Sequence, residues 1–565
     1  ALAATGLFVL GISVHLFLYI RSGMNPAIDE VDPETWKSLY AHLRREQYPP
    51  IDIFNRKASL LFQFQHFGRY FREQYRMFGD HLLGPLNLGK AAVALPVALG
   101  LFGVIANFTR AKKTWVLNFT SLFLNSIGLI IFLNFSDHEV RERDYFYGGA
   151  FYFFSIFIGI GATAFLMMMI EGAKEKGRQA SYWVVPVGVI LLFCSIKPAH
   201  YHGFSHDRSR NYIARDYAYN MLVGLEPDAI IFTNGDNDTF PLWYIQCVEN
   251  FRSDVRVANR SLLNTSWYIK QIRDEDPKVP ISLSDGEIDR IRPIPLKGGG
   301  VAWKHDLIIQ HIIKETNWKR PIYFAVTVPQ EVWKPYTDYL EGSGMARRLV
   351  PYKGDYMINE YMIARNFDEL FMFRGVLTED GEIDESVYKN SDTRGMFTNF
   401  AVAAFQLGQR CGQAKKYKEG ISKLELSLKF NPGFDLSKRL IGTYFIRSGE
   451  PQKAIEFYNG EIRKNPRAGE FWLMLANAYR SMGQLDAALS NLQEGTKHAP
   501  GYRDLYAYGA QVAALLGQRE VARDFIERWL NKHPDDKDFK GLFNEIDRYF
   551  KQDSSARGTE KKGEK

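Results

Sequence analysis

The sequence predicts a multi-domain membrane protein: an α-helical transmembrane bundle of about five spans, then an extracytoplasmic α/β domain, then an all-α superhelix of helical hairpins. Three observations predict it. Long apolar stretches occur before residue 200 and not after it. Runs of β-branched residues alternate with helical patterns in the middle. Small residues and prolines recur at a fixed interval near the end. The expected limits are 1–200 for the transmembrane region with an outer loop 21–90, 201–390 for the α/β domain, 395–550 for the repeats with a capping helix, and 551–565 for a disordered tail.

The apolar stretches are Ala1 to Ile20, Ala91 to Phe108, Trp115 to Phe135, Ala150 to Ile170 and Ala180 to Ile196, each near the ~20 residues that cross ~30 Å of hydrocarbon. The chain opens at Ala1 inside such a stretch, without the charged start of a signal peptide, and reads as the C-terminal part of a longer multi-pass protein. Arg110, Lys112 and Lys113, and then Lys174, Lys176 and Arg178, mark two links as cytoplasmic. The loop from Ser136 to Gly149, which mixes acid with base, falls outside, and so does everything after Ile196. The long loop Arg21 to Lys90 is also rich in Lys and Arg and pulls the other way, but long loops weigh less.

A net charge of +7 is small for 565 residues, and its basic residues cluster beside the apolar stretches. That pattern suits lipid headgroups and gives no reason to expect nucleic acid. Cys194, Cys247 and Cys411 are too scattered for a disulfide framework or a zinc site.

Pro432, Pro466, Pro500 and Pro534 follow one another at a 34-residue interval, which Gly449, Gly483 and Gly517 share, as do Ala454, Ala488 and Ala522. This is the tetratricopeptide (TPR) pattern, in which Gly ends the first helix, Ala lets two helices approach and Pro stops the second. Asn399 to Pro432 reads as a degenerate first copy, with Lys415 and Gly420 in the Gly and Ala positions, and Phe539 to Phe550 as the cap. Such an array binds an acceptor protein or peptide, or packs against its own chain; the pattern leaves both open.

In the middle, Ala229 to Thr233, Val255 to Asn259 and Ile322 to Val328 read as strands and Phe240 to Asn250 as a helix, giving a partly parallel sheet. Ligands of such sheets sit beyond the carboxyl ends of the strands. The polar run Asn234, Gly235, Asp236, Asn237 and Asp238, with Trp243 beyond it, is therefore a candidate acceptor or ligand loop. Asp236 and Asp238 can hold a divalent cation through their carboxylates, or cap the helix that follows. His200, His202 and His206 admit a metal reading or an interfacial one; His15 stands alone inside an apolar stretch.

Beside the membrane, Phe54 to Phe78 interleaves Phe62, Phe64, Phe67, Tyr70, Phe71 and Tyr75 with Arg56, Lys57, Arg69, Arg72 and Arg76. That suits a helix in the headgroup layer, rings toward acyl chains, which either anchors the spans or holds a lipid-linked phosphate. Arg141 and Arg143 alternate with Glu142 and Asp144 in a short outer loop. They can form salt bridges, or supply cations for a phosphate and a carboxylate for a proton. The candidate phosphate-binding residues are thus Arg141, Arg143, Arg69 and Arg72. The candidate catalytic acids are Asp144, Glu142, Asp29 and Glu30, the last two from the acidic cluster after the first stretch.

Several strings taken together, NPAIDE with REQYPP, VRERDYFYGG, HDRSRNYIARDYAYNML and DAIIFTNGDNDTFPLWYIQ with VRVANRSLLNTSWYI, resemble the C-terminal portion of a bacterial multi-pass membrane family. That family ends in tetratricopeptide repeats and is related to protein O-mannosyltransferases of the GT-C type. The resemblance covers nearly the whole chain. It implies a place in the bacterial inner membrane with the C-terminal domains in the periplasm. It also implies transfer of a sugar, mannose before others, from a polyprenyl-phosphate donor to Ser or Thr of an exported protein. The α/β domain and repeats would hold the acceptor. GT-C enzymes carry their catalytic acid in a first outer loop to which nothing in this chain corresponds, so the resemblance supplies no catalytic base. Two other classes fit parts of the chain: a non-enzymatic, membrane-tethered periplasmic TPR scaffold, and a hydrolase built on the Asp236 loop, for which no nucleophile elbow is visible.

Overall fold

A computed structural model describes residues 2–47, 53–78, 93–138, 142–177, 179, 181–296, 299–354 and 357–560. The chain divides into two compact units, 1–211 with 385–392, and 212–384 with 393–565.

Among the described residues of the first unit, four helices are long and apolar enough to cross a membrane: Thr5–Ser22, Lys112–Leu133, Asp144–Glu175 and Tyr182–His206. The second apolar stretch forms a shorter helix, Ala94–Arg110, so about five expected spans become four of full length and one of 17 residues. The first is interrupted at Val14–His15, where His15 begins a new helical segment. The third expected span is continuous from Lys112 only because a π-helical turn, Leu124–Gly128, joins its two α-helical parts. The last continues past Ile196 to His206 with Pro186 and Pro198 inside it. Leu117 and Val189 are more than half exposed on their helices, an arrangement suited to hydrocarbon rather than to water.

Glycine sets one close helix crossing. A Cβ on Gly103 would lie 1.8 Å from the Phe157 carbonyl oxygen, and one on Gly161 would lie 1.9 Å from that of Leu99. Helices Ala94–Arg110 and Gly148–Glu175 therefore touch backbone to backbone, as small residues permit inside a membrane.

The second unit begins with a six-stranded mixed sheet, order β2-β1-β5-β7-β6-β8. Its strands are β1 (Ile230–Thr233), β2 (Arg256–Asn259), β5 (Ile322–Ala325), β6 (Leu340–Gly342), β7 (Ala346–Leu349) and β8 (Met357–Ile358); β3 (Ile294–Pro295) and β4 (Val301–Ala302) form a separate hairpin. β2, β1 and β5 are parallel and β7 runs antiparallel to β5. All four residues of both β1 and β5 are buried, which explains their unbroken apolar sequence. The helix after β1 starts at Asp236 rather than Phe240, so the expected polar loop is largely a first helical turn.

Four helix pairs and a final helix follow: Ser391–Gln413 with Tyr417–Phe430, Asp435–Arg447 with Pro451–Lys464, Gly469–Ser481 with Leu485–His498, Arg503–Leu515 with Arg519–Leu530, and Lys537–Glu560. Gly449, Gly483 and Gly517 have φ of +81°, +74° and +72°, the left-handed turn that ends each first helix. Lys415 takes the same turn in the degenerate copy, at +61°. Ala454, Ala488 and Ala522 are fully buried at the helix contacts. The last helix runs on to Glu560, through a stretch whose composition predicts disorder. A helix already anchored by buried Phe539 and Ile546 gains one hydrogen bond for each residue added. No seam separates sheet and repeats. Phe371, Phe373 and Phe430 surround Phe400 with ring centroids 5.9, 5.2 and 5.3 Å away, and Ile363 packs with Ala403 and Leu407.

Candidate functional site

Helix Leu60–Gln74 positions the charged residues of the first unit. Ser59 caps it by accepting the Phe62 N–H at 3.2 Å. Its aromatic face turns inward: Phe67 meets Tyr147 at 4.9 Å and Phe71 meets Phe154 at 4.8 Å. Only Leu60, Leu61 and Phe64 keep large apolar side chains exposed along it, so the expectation that its rings face acyl chains holds for few of them. Packing on the neighbouring span buries the rest. Arg56 does not serve this face. It donates to the carbonyls of Ile130 (3.2 Å) and Ile131 (2.8 Å), closing the end of a span helix, and to Gln63.

Arg69 and Tyr70 project from this helix onto Glu142. The Arg69 guanidinium donates to both Glu142 oxygens at 3.0 and 2.7 Å, and the Tyr70 hydroxyl donates to Oε2 at 2.6 Å while accepting the Arg143 N–H at 3.0 Å. Burial pushes the Glu142 carboxyl up, but the Arg69 and Tyr70 bonds outweigh it and hold it below the ordinary range. Burial, with Glu142 beside it, raises the Tyr70 hydroxyl. Glu142 is thus a clamped anion, poorly placed to take a proton.

The clamp edges a cleft of about 820 Å³ that also receives Arg72, Arg76, Arg208 and Asp144. Arg76 pairs with Glu73 at 2.6 Å. Arg208 donates to the carbonyls of Ser205 (2.7 Å) and Asp207 (3.3 Å). Arg72 and Asp144, both exposed, have no ion-pair or hydrogen-bond partner among the described residues. One cation and one carboxylate are therefore open to a ligand. Arg143 does not line the cleft and lies over the Phe135 ring at 5.7 Å. Arg141 lies outside the described residues.

An apolar cavity of about 560 Å³ adjoins the cleft. Both are lined by Gln74, His202 and His206, and Pro96, Leu99, Ile158 and Leu191 close the apolar side. His202 Nε2 donates to the Glu73 carbonyl at 2.9 Å. Among the described residues, no group of three or more His, Cys, Asp or Glu is arranged to hold a metal ion. Asp29 and Glu30 lie away from the cleft; Asp29 accepts the Ser22 hydroxyl at 2.7 Å and fastens the loop to the first span.

In the second unit, Asp238 accepts the N–H groups of Asn234 (2.9 Å) and Gly235 (3.0 Å), and the Thr327 hydroxyl donates to it as well. It is 6% exposed. These three bonds tie the end of β1 to the segment after β5, which is capping geometry. Asp236 is exposed and free of such bonds among the described residues, and Asn237 is exposed beside it. Asn234 accepts from Arg260 and, through its carbonyl, from Ser261. Trp243 stacks with Phe240 at 5.6 Å. Sequence reasoning passes over Arg208, Arg260 and His305: the fold alone brings Arg208 to the cleft, and Arg260 and His305 meet Asn234 and Asn264 from 26 and 41 residues away.

These units define a protein with several membrane-length helices, a mixed α/β sheet and helical repeats. Residues 214–292 and 284–366 match the model of TMEM260-associated domain 2. Over 281 residues the chain is 20% identical to the protein O-mannosyl-transferase tmem260 of Dictyostelium discoideum, covering 46% of this chain and 32% of that one. The chain thus spans about a third of that relative's length. Among solved structures it is similar to TTC0263, a thermophilic TPR protein in Thermus thermophilus, at 23% identity over 26% of this chain and 80% of that one, with a TM-score of 0.21. It is also similar to YrrB, a TPR protein with an unusual peptide-binding site, at 19% identity, covering 28% and 82%, with a TM-score of 0.21. Over these segments the chain is similar to TMEM260 proteins, and its own 34-residue interval is that of tetratricopeptide repeats.

Proposed function

We propose that this chain forms part of a membrane glycosyltransferase that moves a sugar, mannose in the first instance, from a polyprenyl-phosphate donor to Ser or Thr hydroxyls of exported proteins. The observation that carries the reading is the cleft that holds unpaired Arg72 and Asp144 and adjoins an apolar cavity. Similarity to the Dictyostelium protein O-mannosyl-transferase supports it. The lipid phosphate sits against Arg72 and Arg208, and the isoprenoid chain enters the apolar cavity. The acceptor oxygen attacks the anomeric carbon, its proton passes to Asp144, and the bond from that carbon to the phosphate oxygen breaks. Arginine stabilises the departing phosphate, where charge builds. Glu142, held by Arg69 and Tyr70, keeps the loop that carries Asp144 in place. The α/β domain and repeats hold the acceptor polypeptide on the periplasmic side of a bacterial inner membrane.

The test is transfer from a labelled polyprenyl-phosphate mannose to a Ser/Thr-containing exported protein in vesicles carrying the full chain. Asp144→Asn and Arg72→Ala should each lower turnover by about tenfold or more while the melting temperature stays unchanged. If both variants keep full turnover, the cleft is not the site of transfer. If the parent protein transfers nothing, the tethered TPR scaffold replaces this reading.

A further inference from the structure

Arg260 lies just past the carboxyl end of β2, at the rim where ligands of parallel sheets collect. A guanidinium offers five N–H donors and no acceptor. Arg252, Arg256 and Arg348 nearby spend theirs well: Arg252 on Asp254 and three carbonyls, Arg256 on two carbonyls, Arg348 on Glu226. The Arg260 side chain makes one long contact, from Nη1 to the Asn234 amide oxygen at 3.4 Å, and its Nε is buried with no partner. No carboxylate pairs with it among the described residues. Asp238 is occupied by Asn234, Gly235 and Thr327. Asp306 accepts the Trp303 N–H at 2.9 Å and lies 3.1 Å from His305 Nε2. Asp236 is exposed and makes no bond to Arg260.

His305 deepens the case. Its side chain is buried, with Nδ1 2.9 Å from the Asn264 amide oxygen and Nε2 facing the Asp306 carboxylate at 3.1 Å. Burial and then the nearby Arg260 charge hold its pKa down. The buried Arg260 Nε without a partner implies a missing acceptor, and an arginine short of acceptors calls for an anion of planar or tetrahedral shape.

We propose that the rim formed by Asn234, Arg260 and His305 binds an oxyanion, the carboxylate or phosphate group of a small polar ligand. The site is independent of the transfer cleft and stands or falls separately from it. Arg260 supplies the charge-assisted contacts and the Asn234 amide orients the guanidinium.

Binding is measured on the full chain in nanodiscs by titration calorimetry, with inorganic phosphate and acetate as probes and chloride at equal ionic strength as the control. Saturable uptake of one probe, weakened about tenfold or more in R260Q and partly kept in R260K, supports the site. Saturation by phosphate alone assigns a phosphorylated ligand, and by acetate alone an acidic one. Uptake of neither beyond chloride, or equal uptake by R260Q with an unchanged melting curve, overturns the proposal. Should R260Q fail to fold, R260K decides: unaltered affinity for the two anions also overturns it.

Discussion

Arg69 grips both oxygens of Glu142, 73 residues further along the chain, while Tyr70 holds one of them as well. This clamp joins the membrane-proximal helix to the loop leading into a span. Its pH dependence follows from the carboxylate's lowered pKa. A group whose pKa falls on folding stabilises the fold fully above its unfolded value and loses that contribution as the pH falls through the folded one. Protection of the Arg143 N–H, which donates to Tyr70, from exchange relative to a free peptide amide should therefore be high at neutral pH and fall away below the ordinary glutamate range. In E142Q that pH-dependent loss of protection should vanish. Equal exchange in both proteins across that window would remove the clamp's role.

The crossing at Gly103 and Gly161 leaves no room for a side chain. Gly103→Leu should force the two helices apart and cost about 1–3 kcal/mol or more, read as earlier thermal unfolding in detergent. Gly159→Leu, where no atom lies within 4 Å of the place a Cβ would take, should leave the curve unmoved.

The two aspartates at the start of the helix after β1 differ in kind. Asp238→Ala strands two N–H groups and the Thr327 hydroxyl, and should cost about 1–2 kcal/mol. Asp236→Ala should stay within about 0.5 kcal/mol. Because Asp238 is buried and already accepts three hydrogen bonds, adding magnesium or manganese should not shift the melting temperature. A saturable upward shift that both substitutions abolish would restore the cation reading.

The repeats depend on the same economy of space. A Cβ at Gly442 would lie 2.2 Å from the Tyr458 ring, and one at Gly509 would lie 2.4 Å from that of Phe525. Gly442→Val should lower the unfolding temperature of the repeats and their protection from proteolysis, whereas Gly460→Val, with open space around it, should not.

Topology has a direct reporter in Cys247, which is exposed, while Cys411 is buried. An impermeant maleimide added to intact bacterial cells expressing the chain should label Cys247 at once. Labelling only after the inner membrane is opened would put the sheet and repeats in the cytoplasm, and the proposed transfer would lose its acceptor.

Periodic features are legible from residues alone. Pro432, Pro466, Pro500 and Pro534 and their glycines fall where helices end, because a left-handed turn and a missing N–H act locally. Apolar β1 and β5 are legible for the same reason. The two- and three-residue strands β3, β4, β6 and β8 carry no alternation to read. The cleft is half visible: Arg69, Arg72, Glu142 and Asp144 stand out by charge, but the pairing that spends Arg69 and Glu142 and leaves Arg72 and Asp144 open is tertiary. Asp238 looks like half of an acidic pair because its partner Thr327 is 89 residues away.

The phenylalanines around Phe400 have a consequence for how this chain can change. The inner face of the first hairpin is completed by residues of the sheet domain, so that end of the array is welded and can neither gain nor shed a unit. Growth or loss of hairpins is open only at the far end, ahead of the Phe539 helix. A grafted copy of the repeats lacking residues 360–390 would present bare aromatic rings to solvent and aggregate.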